Sequence, residues 1–134
     1  FMTGMPYPGE NASNECIKDL LLSLAKLGSK KIVITGVESA DHKFGFMGYD
    51  SETKDFFEYY TPKVQMKSHG TGDVFASTFT GALMNDYNIQ DSLKIAADFT
   101  KACINNTYND PEAVNYAVNF ESEIPYLLKL IRKV

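Results

Sequence analysis

Ser68-His69-Gly70-Thr71-Gly72-Asp73-Val74-Phe75-Ala76-Ser77 is the stretch whose residue types and spacing can do chemistry. Two glycines bracket a threonine, an aspartate follows at once, and an apolar helical pattern begins there. Such a loop can aim successive backbone N–H groups at one point, with a helix N-terminus behind them. That arrangement suits an anion, and phosphate above all. Phosphoryl transfer needs amides to hold the transferring group and a base near the attacking hydroxyl. Gly70, Thr71 and Gly72 can supply the first, and Asp73 the second. A glycine turn leading into a helix is often only a turn, so the elements around it carry much of the argument. His69 is read as a structural helix-entry residue and stays outside the site.

The loop leads into an amphipathic helix expected from Thr71 to Asn85, with Val74, Phe75, Thr78, Phe79, Ala82 and Leu83 inward. A second helix follows from Gln90 to Asn106, burying Leu93, Ala96, Ala97, Phe99 and Cys103, with Asn88 and Asp91 as a capping arrangement. Residues 107–118 read as irregular around Asp110-Pro111. A last helix runs from Ile124 to Arg132, with Pro125 in its first turn.

Upstream, Ile17, Leu20, Leu21, Leu24 and Leu27 recur at helical spacing, with Asn11 or Ser13 as N-cap and Gly28 as the C-terminal glycine. Ile32-Val33-Ile34 then reads as a buried strand from Lys31 to Thr35 that ends at Gly36. Helix, tight turn and strand in that order make an αβ unit. Residues 43–49 and 55–61 flank a polar turn and predict an aromatic-rich antiparallel hairpin, its rings packing across strands rather than stacking on bases. Four helices and three strands are few neighbours for an apolar strand, so the sheet is expected to have strands elsewhere.

Composition narrows the function classes. The 134 residues carry a net charge of −4, which offers no surplus of cations for a nucleic acid. No run approaches the roughly 20 apolar residues of a membrane span, and the start lacks the charge pattern of a signal peptide. The two cysteines, Cys16 and Cys103, have no metal-ligand spacing and read as reduced packing residues of a cytoplasmic protein.

His69 through Ser77 resembles the anion-hole signature of the ribokinase-like kinases, and Gly-Thr-Gly-Asp followed by Val-Phe-Ala is similar to the pyridoxal (pyridoxine, pyridoxamine) kinase branch. Thr3-Gly4 with Tyr7-Pro8-Gly9-Glu10, Val33-Ile34-Thr35-Gly36, Lys94 to Phe99 and Tyr116 to Glu121 agree. The similarity covers essentially the whole chain and the C-terminal half of the family's fold. It implies an α/β protein, one partial domain over 1–134 that forms the nucleotide-binding half of a three-layer α/β/α kinase. It implies ATP-dependent phosphorylation of the hydroxymethyl group of a vitamin B6 vitamer. Asp73 would be the base, and the amides of Gly70, Thr71 and Gly72 the anion hole. Thr35, Gly36 and Val64 would border the nucleotide, and Mg2+ would bridge its phosphates.

The family's first strands, vitamer pocket, lid and upstream Asn/Glu metal motif have no counterpart here, so this half is expected to be inactive alone. Two alternatives stand beside this reading. One is a sugar or hydroxymethylpyrimidine kinase of the same superfamily, since the loop handles phosphate rather than acceptor. The other is a non-catalytic nucleotide-binding or self-associating domain, in which an exposed sheet edge drives homodimer formation.

Overall fold

In a computed structural model, residues 2–6, 8–9, 12–63, 69–113 and 117–132 are described. They fall in two compact units, Phe1–Lys63 and Val64–Val134.

The first unit is a helix and a three-stranded sheet. Helix α1 spans Asn14–Ala25 and starts at Ser13, whose side chain accepts from the Cys16 N–H at 3.2 Å. Asn11, the other N-cap candidate, lies outside the described residues. The helix stops at Ala25, earlier than its apolar spacing suggests. Leu27 and Gly28 close it with turn bonds to Leu24 and Ala25, and Gly28 takes a φ of +104°. Ile17 and Leu21 project from α1 into a core with Ile32, Val37, Met47 and Tyr49.

Strands β1 (Lys31–Glu38), β2 (Phe44–Asp50) and β3 (Asp55–Thr61) form an antiparallel sheet in the order β1-β2-β3. Tyr49 stands opposite Phe56, with ring centroids 4.7 Å apart. The aromatic residues therefore pack within the hairpin, as the alternation predicts.

The structure corrects the reading of the first strand. β1 does not end at Gly36 but runs through it to Glu38, with a bulge between Thr35 and Val37 and a φ of +79° at Gly36. Nor is it buried on both faces: Ile32 and Val37 are buried, whereas Thr35 and Gly36 are exposed. The strand buried along its length is β2, from Gly45 to Asp50. Among the described residues β2 is the middle strand of the sheet, with β1 and β3 paired to its two edges.

The second unit is helical. Helix α2 spans Thr71–Met84, α3 spans Ile89–Asn109, and a 3-10 turn at Glu121–Glu123 leads into α4, Ile124–Leu130. Asn88 caps α3 by accepting from the Asp91 N–H at 2.8 Å, while its side-chain amide donates to the Asp91 carboxylate at 2.9 Å. α3 outruns its expected end by three residues, and Thr107 in that extension is buried at 1% exposure. Phe99, Cys103 and Val118 make a core against Val74, Ile104, Leu127 and Leu130. Pro125 occupies the first turn of α4, where its missing N–H costs nothing.

Candidate active site

Gly70 is the N-cap of α2 with φ +85° and ψ −6°, a left-handed conformation that an L side chain adopts only under strain. As a glycine, Gly70 has no side chain with which to cap the helix. The first intrahelical bond runs from the Val74 N–H to the Gly70 carbonyl, 3.0 Å, so the amides of the first turn lie ahead of the helix's own ladder. Asp73 sits in that turn, solvent-exposed, where the partial positive charge of the helix end favours a carboxylate. The structure thus brings Gly70, Thr71, Gly72 and Asp73 together at one helix start.

Thr35 and Gly36 lie exposed at the β1 bulge in the sheet unit. Val64 falls outside the described residues. Among the described residues no group of three or more His, Cys, Asp or Glu side chains stands together as a metal site.

A groove of about 430 Å³ begins at Asp73 and runs along α2. Asp73, Ser77, Gly81 and Asn85 recur every four residues and form one ridge, with Thr78 and Ala82 beside it. Phe99, Phe120, Ile124, Leu127 and Ile131 also line the groove. The lining is almost wholly apolar, and the volume is that of a small-molecule site. Sequence reasoning missed this groove. The signal was the spacing of Ile124, Leu127 and Ile131, a helical stripe that reads equally as ordinary core.

The phosphomethylpyrimidine kinase family model matches residues 7–118. The chain belongs to that family. Solved structures of kinases agree with the fold of this family member. It is 25% identical to a candidate phosphomethylpyrimidine kinase of Bacteroides thetaiotaomicron, with a TM-score of 0.80 over 94% of this chain and 42% of that one. A second crystal form of that protein, with pyridoxal, matches at 24% identity and a TM-score of 0.80, over 94% of this chain and 44% of that one. The pyridoxal kinase of Lactobacillus plantarum matches at 23% identity and a TM-score of 0.78, covering 96% of this chain and 45% of that one. The chain therefore spans less than half the length of these kinases. No curated protein matches it. Among the described residues no helix is long and apolar enough to cross a membrane.

Proposed function

We propose that this chain carries the phosphate-holding and proton-accepting half of an ATP-dependent kinase that phosphorylates the hydroxymethyl group of pyridoxal or a related vitamer. The observation that carries the reading is the corner at Gly70: a left-handed glycine opens α2, and a carboxylate follows three residues on in its first turn. The amides of Gly70, Thr71 and Gly72 hold the transferring phosphoryl group and the charge that develops on it. Asp73 takes the proton of the acceptor hydroxyl at its carboxylate. ATP supplies the phosphoryl group. Mg2+ travels with the nucleotide's phosphates and keeps much of its water, which fits a helix start offering a single carboxylate.

Kinship to pyridoxal kinases of known structure supports the vitamer. A second reading, with a hydroxymethylpyrimidine as acceptor, is favoured by the family whose model matches. Both acceptors are hydroxymethyl groups on nitrogen heteroaromatic rings, and the same loop and base serve either. The chain is read as one partial domain, cytoplasmic, with ATP and a small-molecule acceptor as ligands.

Calorimetric titration of Mg-ATP into the wild-type chain and into Asp73→Asn tests the nucleotide half, and both are expected to bind. In a full-length kinase containing this segment, Asp73→Asn abolishes transfer to pyridoxal while sparing ATP affinity. Lost ATP affinity with transfer intact would sink the assignment of Asp73 as base. Family-like turnover by the 134-residue chain alone, in a steady-state assay with pyridoxal, would overturn its reading as an inactive half.

A further inference from the structure

Gly70 does not stand alone. A Cβ built on it would lie 3.8 Å from Cγ1 of Val118, so Val118 lies alongside the helix start. Val118 is 6% exposed and anchored in the core with Phe99 and Cys103. The residue after it is held from two directions. The backbone N–H of Asn119 donates to Oγ1 of Thr107 at 2.8 Å, and the same hydroxyl donates to the Cys103 carbonyl at 2.7 Å. The side-chain amide of Asn119 donates to Oδ2 of Asp110 at 2.7 Å, and Asp110 accepts the Glu112 N–H through its other oxygen at 2.9 Å.

We infer that Thr107 is a positioning residue for the Gly70–Asp73 corner, acting through Asn119 and Val118. A hydroxyl is at once a donor and an acceptor, so a single buried atom can tie a loop to a helix. Segment 117–120 has no regular structure, and its place is set by these bonds. Once Asn119 is fixed, Val118 has one seat, and that seat is the wall against which the left-handed turn at Gly70 rests. The strut serves the phosphate-holding role proposed above, but its existence does not depend on that role.

The test reads the ligand-free chain. Thr107→Val keeps the shape of the side chain and removes both hydrogen bonds, and Thr107→Ser keeps the hydroxyl. Backbone amide resonances of Gly70, Thr71, Gly72 and Asp73 are expected to move or broaden in Thr107→Val and to return towards wild-type positions in Thr107→Ser. Asn119→Ala, which removes only the outer anchor, moves them less and in the same direction. It supplies the readout should Thr107→Val fail to fold. Resonances of residues 70–73 that stay in place while those of 117–119 move, in whichever variant folds, overturn the inference. Where wild type binds Mg-ATP, Thr107→Val is expected to weaken it by roughly 3- to 10-fold, because only part of the cost of the two lost hydrogen bonds reaches the corner. A wild-type chain that binds no Mg-ATP counts against the proposed function alone, because the resonance shifts are measured without ligand.

Discussion

Gly45 lies beneath the ring of its cross-strand partner Tyr60, so closely that a Cβ there would run into Cδ1 and Cε1 of the ring. The glycine is a condition of the packing between β2 and β3, since the ring takes the space a side chain would fill. Gly45→Ala is expected to destabilise the chain by about 1–3 kcal/mol through overpacking. Tyr60→Leu in the same chain should recover part of that loss, because the two residues share one space. Chemical denaturation of the two single variants and the double variant checks this. Additive losses would mean that the contact does not set the cost.

The two glycines of the site loop should respond in opposite senses. Gly70→Ala forces a side chain into the left-handed region at about 1–2 kcal/mol, although its methyl group would meet Val118 only at ordinary contact distance. A fall of about 3–6 °C in melting temperature is expected. Gly72 has an ordinary helical backbone, and a Cβ there would meet none of the described residues within 4 Å. Gly72→Ala should therefore hold or raise stability, by up to about 1 kcal/mol. It should also weaken Mg-ATP binding, because its methyl group occupies space at the proposed phosphate site. A thermal melt and a titration on each variant separate fold from function.

Acid should act through Asp50. Burial pushes its carboxyl up, but the Glu52 N–H at 2.9 Å and the Lys31 ammonium at 3.2 Å outweigh burial and hold it below the usual carboxylate range. A carboxyl depressed in the folded state contributes stability above its unfolded pKa, and that contribution is lost as pH falls through the folded value. Lys31→Met removes the cation and should move the acid-unfolding midpoint to higher pH, with less change near neutrality than Asp50→Ala. Unfolding curves across pH 2–7 read the shift. An unmoved midpoint would show that Lys31 does not hold the carboxylate.

The Cys103 thiol is wholly buried, and burial raises its pKa to about 11, with the Glu123 carboxylate adding to the effect. The thiolate is the reactive form, so Cys103 should resist alkylation at pH 8 and react only when the chain opens. Cys16 is partly exposed and should label first. Mass spectrometry after timed iodoacetamide exposure distinguishes the two. An unfolded thiol ionises near about 8.5. The contribution of Cys103 is therefore full below that pH and is lost as pH rises through the folded value.

The helices, the hairpin and the helix start at residues 70–73 were legible in the sequence alone. Those features are local: apolar periodicity, the caps at Ser13 and Asn88, and a glycine pair ahead of an aspartate act over a few residues. The sequence did not say which strand would be buried, because Ile32-Val33-Ile34 reads as doubly covered, yet coverage depends on what the rest of the fold packs over each face. Tertiary structure gave that place to β2 and left β1 with a bulge at Gly36. It also decided the groove at Asp73 and the seat of Val118 against Gly70, 48 positions away by their numbers. Contacts between residues so far apart follow from the closing of the core and from single hydrogen bonds such as Asn119 to Thr107. No local pattern encodes them.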